Sequence, residues 1–278
     1  MDKIEKIRKY YADELRFVSN IQSELLINAF SKVPREDFLG QGPWKIFDTN
    51  TLQYWSTEND DPRHLYHNVL VAIDSIRFLN NGSPSMWAAL FDRLALKSGD
   101  KVIHIGCGTG YYSAILSEIV GKLGQVTAIE IDEDVCKYAL KNLSSRSNVK
   151  VIQTNGVSYF ERDINAIVVS AGLSRIPTRW LESLTENGCL ILPLTSSVGQ
   201  GGLVKITKKE RGFKASFLSS TMFYNCKGGH DSASDLLIKE AFEKEPMYCV
   251  NSLRTDPHEV HESCYIHGED YCFSKIKI

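Results

Sequence analysis

No two cysteines in this chain are spaced C-x-x-C, and the seven present form an odd set scattered from Cys107 to Cys272. That pattern argues against a disulfide framework and for reduced thiols in a cytoplasmic setting. An excess of either charge is also missing, since 32 Lys and Arg stand against 34 Asp and Glu, a net charge of −2. Without a broad basic field, nucleic acid is not an expected partner. No apolar run reaches the roughly 18 residues of a membrane span, so a membrane is not expected either. The opening stretch, residues 1–17, mixes charge with bulk and does not read as a secretory leader. There is no internal repeat and no low-complexity segment. What remains is ordinary globular composition, 43% hydrophobic and 24% charged over 278 residues. One α/β core with additions at both ends fits that length better than two independent cores.

Residues 3–31 carry apolar side chains at helical spacing: Ile4, Ile7, Tyr11, Leu15 and Val18 on one face, then Leu25, Leu26, Ala29 and Phe30. Pro34 stops the run, because a residue before proline is pushed out of the α region. Residues 40–64, rich in Gly, Asn, Asp and Pro, read as an irregular polar connection. A second break at Asn80–Pro84 precedes a helical pattern from Ser85 to about Leu96, with either Ser85 as its cap or Pro84 in its first turn.

From Lys101 the texture changes. Short apolar runs at 102–105, 126–129, 149–153, 166–170 and 189–193 alternate with helical stretches. Near-continuous apolar runs are strands buried on both faces, and their alternation with helices marks βαβ units on a mostly parallel sheet with helices on both faces. Alternating strands at 203–207 and 213–222 suit an antiparallel edge. A helix at 235–244 and a hairpin around Gly268-Glu269-Asp270 complete the chain. The expected division is an N-terminal helical, substrate-side region (1–97), a nucleotide-binding core (98–225) and a C-terminal extension packed on it (226–278).

The stretch Gly106-Cys107-Gly108-Thr109-Gly110 lies between a strand ending at Ile105 and a helix starting near Tyr111. Glycine serves where the chain turns with positive φ or where a ligand lies against bare backbone. The next strand ends in Glu130, with Ile131 beside it, and a carboxylate there can accept hydrogen bonds from ribose hydroxyls. A dinucleotide fingerprint needs a glycine where Tyr111 stands, and no Gly-Lys-Ser/Thr marks a Walker loop. The loop therefore suits S-adenosyl-L-methionine, which has an adenosine and no phosphate, and the alternatives are a plain structural turn or NAD. Asn155-Gly156 after the third strand would meet the adenine edge. Ser170-Ala171-Gly172 after the fourth would leave room for sulfonium and acceptor, although each loop alone is commonly an ordinary turn.

Three stretches resemble the protein-L-isoaspartate (D-aspartate) O-methyltransferase family. They are Val33-Pro34-Arg35-Glu36-Asp37-Phe38, then Gly99–Tyr111, and then Asn165–Gly172 with Ile176-Pro177 and Asn187–Pro193. The likeness covers roughly residues 20–225. It implies a Rossmann-like class I methyltransferase fold, S-adenosyl-L-methionine as cofactor, and methyl transfer to a carboxylate of a peptide or protein. The family's T-I-S-x-P segment aligns with Asn80-Asn81-Gly82-Ser83-Pro84, so Gly82 occupies the serine position and Ser83 or Ser85 would have to serve instead. The family's acid before the loop, which helps hold the cofactor's methionine end, is His104 here. A specialised methyltransferase with a dedicated peptide or small-molecule acceptor, and a catalytically silent cofactor-binding module, are the competing readings.

A carboxylate acceptor is already a nucleophile at neutral pH, so no general base is expected. Backbone amides or hydroxyls at Gly82–Ser85, or the amides of Asn80 and Asn81, would hold its second oxygen. A neutral acceptor would instead call for a base such as His64, His67 or His104. Cys107 reads as a small residue lining the site. His258, His261, Cys264, His267 and Cys272 crowd the terminal segment. Zinc ligands usually come in close pairs separated by a longer loop. Strict hairpin alternation would put Cys264 and Ile266 on the face opposite Tyr265 and His267 and split the set. A buried hairpin with no metal is the expectation.

Overall fold

The computed structural model describes residues 3–278, so the first two residues of the expected N-terminal region lie outside the described residues. The chain divides into two compact units that interleave in sequence. Of the described residues, one holds 3–100 and 107–153, the other 101–106 and 154–278.

In the first unit the N-terminal apolar pattern is cut in two, α1 (Lys3–Ser19) and α2 (Glu24–Lys32). Asn20 takes a left-handed φ of 49° and ends the first helix. Ser23 restarts the chain as an N-cap, its hydroxyl accepting from Leu26 N–H at 3.3 Å. Tyr11, Leu15, Leu26 and Phe30 are buried, each worth about 1.5–3 kcal/mol on transfer from water.

The expected irregular connection at 40–64 contains β1 (Lys45–Asp48) and β2 (Gln53–Ser56). With β3 (Leu70–Asp74) and β4 (Leu79–Asn80) they form a four-stranded sheet in the order β2-β1-β3-β4. Asp48 makes the connecting turn by accepting from Asn50 N–H at 2.8 Å, and Trp44, Ile46, Leu65 and Val71 fill the small core beneath. Pro84, not Ser85, opens α3 (Pro84–Leu94), with Ser83 as its N-cap residue.

After β5 (Lys101–Ile105), which belongs to the second unit, the first resumes with α4 (Tyr111–Val120). All of α4 is buried except Glu118, which explains its lack of a polar stripe. β6 (Gln125–Glu130), α5 (Glu133–Asn142) and β7 (Val149–Gln153) follow, and β6 and β7 pair in parallel. Asp132 caps α5 through Asp134 and Val135 N–H groups at 3.1 and 3.0 Å.

The second unit builds β5, β8 (Ile164–Val169) and β9 (Leu184–Thr195) as parallel neighbours, with α6 (Thr178–Ser183) between the last two. Their apolar runs are buried, as strands covered on both faces must be. β10 (Gln200–Lys209) and β11 (Gly212–Met222) continue antiparallel. After α7 (Ser232–Lys244), three short strands extend the same edge: β12 (Ser252–Arg254), β13 (Cys264–His267) and β14 (Cys272–Ser274). The order from that edge is β13-β14-β12-β11-β10-β9-β8-β5. β12 pairs with β11 at Phe213↔Leu253 and Lys214↔Ser252.

The terminal hairpin corrects the strict alternation read from the sequence. The register between β13 and β14 shifts between Cys264 and Ile266, so Cys264 opposes Ser274 while Ile266 opposes Phe273. A bulge inserts one residue and re-aims the side chains on either side of it. Cys264 and His267 therefore reach one cluster instead of opposite faces.

Candidate functional site

The glycine loop has the backbone its composition predicts. Gly106, Gly108 and Gly110 adopt φ values of 72°, 57° and 98°, a region that side-chain-bearing residues avoid. Cys107 N–H donates to Ile129 O at 3.0 Å and Asn142 Nδ2 to Thr109 O at 3.0 Å, fixing the loop to β6 and α5.

Glu130 ends β6 with its carboxylate folded onto this loop. Oε2 accepts from Gly108 N–H at 2.9 Å, and Oε1 accepts from Ile131 and Asp132 N–H at 2.9 and 3.1 Å. A carboxylate offers about four acceptor sites, so one lone pair, on Oε2, stays open for an outside donor. Burial pushes the Glu130 carboxyl above the usual range, and the three N–H groups work against that rise.

Cys107 is buried, and burial beside the Glu130 charge drives its thiol well up, which makes it unreactive. Thr109 Oγ1 is buried with no hydrogen-bond partner among the described residues. The Tyr111 ring turns away into the aromatic cluster of Phe30, Phe38 and Tyr112, with the Arg35 guanidinium 5.8 Å over it. Only its backbone, at the start of α4, belongs to the loop.

The Asn80–Ser85 segment lies in the same unit. Gly82 has φ 86°, and a Cβ there would sit 2.5 Å from Trp87 Nε1. Its carbonyl accepts from Tyr112 Oη at 3.0 Å, which ties the segment to α4. Asn80 Oδ1 accepts from Tyr54 Oη at 2.8 Å, while Asn81 Oδ1 is buried without a partner among the described residues. Ser83 and Ser85 hydroxyls stand 3.3 Å apart at the start of α3, where Ser85 N–H donates to Asn68 Oδ1 at 3.0 Å. The Ser83 hydroxyl approaches the same oxygen at 3.5 Å.

Asn68 and Arg35 are the residues whose roles sequence reasoning missed. Arg35, fully buried, donates to Leu65 O at 2.8 Å, His67 O at 3.2 Å and Val69 O at 2.9 Å, and so shapes the loop that presents Asn68. The signal available was the Val-Pro-Arg segment, which marks Arg35 but not its partners.

In the second unit, His104 is buried and its Nε2 lies 2.8 Å from Ser170 Oγ. Desolvation lowers its pKa to about 3, so the ring is neutral at any ordinary pH. Asn155 does not offer a free amide oxygen, because Oδ1 accepts from Val157 N–H at 3.0 Å as a local cap. Gly156 is required by packing: a Cβ would fall 2.3 Å from Ile105 Cγ2. The loop after β8 is tied to the C-terminal segment, with Cys226 N–H donating to Gly172 O at 2.7 Å and His230 Nε2 lying 2.8 Å from the same oxygen.

A model of the family described as Protein-L-isoaspartate(D-aspartate) O-methyltransferase matches residues 8–229. The chain belongs to that family. The protein-L-isoaspartate O-methyltransferase of Thermotoga maritima is 25% identical over 194 residues, 68% of this chain and 56% of the relative. Protein-L-isoaspartate O-methyltransferase 1 of Archaeoglobus fulgidus is 32% identical over 198 residues, 70% of this chain and 82% of the relative. Among solved structures, a putative protein-L-isoaspartate O-methyltransferase from Plasmodium falciparum in complex with S-adenosyl-L-homocysteine superposes with TM-score 0.62. It is 23% identical and covers 79% of this chain and 97% of that one. The superposition shows the fold, the Rossmann-like α/β architecture of S-adenosyl-L-methionine-dependent methyltransferases. Methyltransferases of this family take S-adenosyl-L-methionine as methyl donor, and three features here fit that group. They are the bare glycine backbone, the unpartnered Thr109 hydroxyl and the open acceptor site on Glu130.

Proposed function

We propose that the chain is a carboxyl O-methyltransferase whose acceptor is a carboxylate on a peptide or protein, seated at the start of α3. The observation that carries this reading is Asn68. Its side-chain oxygen already occupies a point where the Ser85 N–H and the Ser83 hydroxyl converge. A carboxylate oxygen of the acceptor, replacing that amide oxygen, meets two donors at the positive end of an 11-residue helix.

When bound, S-adenosyl-L-methionine supplies a methyl group activated by its sulfonium. The chain's own task is alignment. Glu130 holds the ribose through its one open lone pair, Cys107–Gly110 offer bare backbone to the methionine end, and Ser83, Ser85 and Asn81 fix the acceptor. Pre-set orientation of this sort supplies on the order of 7–11 kcal/mol of a barrier. No side chain has to take a proton, because the carboxylate is the nucleophile. His104 is suited to no proton transfer, being neutral and buried against Ser170. We place the reaction in the cytoplasm, where the seven thiols stay reduced.

The test is transfer of labelled methyl to an isoaspartyl peptide and to its normal aspartyl counterpart, read by mass spectrometry as the methyl ester or its imide decay product. Label on the isoaspartyl peptide alone supports the repair-type acceptor. Label on neither, with turnover on another carboxylate, leaves a methyltransferase with a dedicated acceptor. His104 in place of the family's acid favours one second reading, a module that binds the cofactor without turnover. Cofactor binding with no transfer to any carboxylate would select it.

A further inference from the structure

We propose that His258, Cys264, His267 and Cys272 form a structural zinc site at the C-terminal edge of the sheet, a function separate from methyl transfer. One ligand atom from each of the four lies within 4.8 Å of all the others. Sγ of Cys264 is 3.7 Å from Nε2 of His258. Tetrahedral zinc with Zn–S near 2.3 Å and Zn–N near 2.0 Å brings its ligand atoms to about 3.3–3.8 Å apart, so a contraction of at most about 1.5 Å completes the shell.

The surroundings are prepared in the same sense. His258 Nδ1 sits 2.8 Å from Asp256 O, which fixes the proton on Nδ1 and leaves the Nε2 lone pair facing the cluster. That is the outer partner a metal-bound histidine normally has. His267 Nδ1 is buried with no hydrogen-bond partner among the described residues, a polar atom whose burial a metal or its shell would explain. Two thiolates and two neutral imidazoles cancel the charge of a divalent ion, which suits a half-buried site. An S2N2 set in tetrahedral reach selects zinc among the common divalent metals. His258, His267 and Cys272 also line an open cleft, which gives the ion a way in.

The bulge between Cys264 and Ile266 gives the arrangement its cause. It turns Cys264 toward His267 and Cys272 at the cost of regular pairing in a strand only four residues long. All four positions of the shell come from protein, so the site is closed and structural, not catalytic. The ion would pin the 255–263 loop and both strands of the hairpin to one another, on an edge where the strand pairings of β14 with β12 and β13 are short.

The experiment uses the full chain, purified under reducing conditions without chelator. Elemental analysis should find one zinc per chain. Replacement with cobalt should give the thiolate charge-transfer band and the intense visible bands of a tetrahedral thiolate site. Cys264→Ser with Cys272→Ser should lose both the metal and the charge-transfer band, while Cys249→Ser should keep both. Should the double variant fail to fold, the wild-type cobalt spectrum and a fall in Tm on adding a chelator decide the matter. Reduced chain that takes up neither zinc nor cobalt overturns the proposal. So does a spectrum without thiolate bands, retention of metal by the double variant, or a Cys264–Cys272 disulfide in freshly prepared protein.

Discussion

The backbone amide of Gly108 donates to Oε2 of Glu130 at 2.9 Å, so the residue proposed to hold the ribose also holds the glycine loop in shape. Glu130→Gln swaps one carboxylate oxygen for an NH2 group, which then faces a backbone N–H instead of accepting from it. Affinity for S-adenosyl-L-homocysteine should fall roughly 10–100-fold, the range expected from losing one or two charge-assisted hydrogen bonds. Calorimetric titration measures it, and unchanged affinity would remove Glu130 from the site.

The same carboxyl sets a pH dependence. Burial raises its pKa, so in the free protein protonation is favoured and ionisation weakens the fold as pH rises through that value. Ribose hydroxyls donate to the ionised form, so cofactor affinity should drop as pH falls through the raised pKa. Titrations from neutral to mildly acid pH should show this slope in the wild type and a flatter one in Glu130→Gln. Parallel slopes would assign the dependence to another group.

His104 carries the opposite sign of stability. Its folded pKa of about 3 lies below the reference value of 6.5, so the unfolded chain binds the proton first. The stability gained is present above the unfolded pKa and is lost as pH falls from 6.5 toward about 3. The slope approaches ~1.4 kcal/mol per pH unit. Denaturant melts of wild type and His104→Asn at about pH 7 and about pH 5 should differ in this slope, the variant losing less on acidification.

A serine side chain at position 82 should be resisted by the local backbone and packing. At Gly82 the φ of 86° and the 2.5 Å approach of a Cβ to Trp87 Nε1 both resist a side chain. Gly82→Ser should cost about 1–3 kcal/mol of stability, from the left-handed backbone and the displaced indole. Thermal melts together with methyl transfer to an isoaspartyl peptide check it. A variant as stable as wild type would mean that the segment adjusts easily.

Arg35→Met keeps the bulk and removes three donors from the carbonyls of Leu65, His67 and Val69. Left unpaired in a buried place, these groups should cost on the order of 3 kcal/mol. The loop carrying Asn68 loosens as well, so KM for the acceptor should rise more than the affinity for S-adenosyl-L-homocysteine falls. Equal losses in both would make Arg35 a general stabiliser only.

Legibility followed the reach of each interaction. Gly106, Gly108 and Gly110 could be placed between a strand and a helix because their need for positive φ is local. Glu130 was placed at the end of a strand from the sequence. Its three bonds to amides were not, since backbone donors leave no trace in residue type. β1 and β2 were hidden because four-residue strands offered only Ile46-Phe47 and Tyr54-Trp55 against a polar turn. Arg35 meets its carbonyls 30 and more positions away, and Asn68 meets Ser85 17 away, distances over which periodicity is silent. The bulge at Cys264 contains no glycine, so alternation pointed the wrong way there.

The matched family region stops at residue 229, whereas β12 begins at Ser252. A chain trimmed back to the matched length would therefore uncover the outer rim of β11 at Phe213 and Lys214. It would also strip Phe217 of the rings of Phe242, Tyr265 and Phe273 that now pack on it. An uncapped rim beside a bare aromatic surface recruits another molecule's strand. Shortened preparations should accordingly precipitate or pair up, and an activity assay on them would report that association before it reported chemistry.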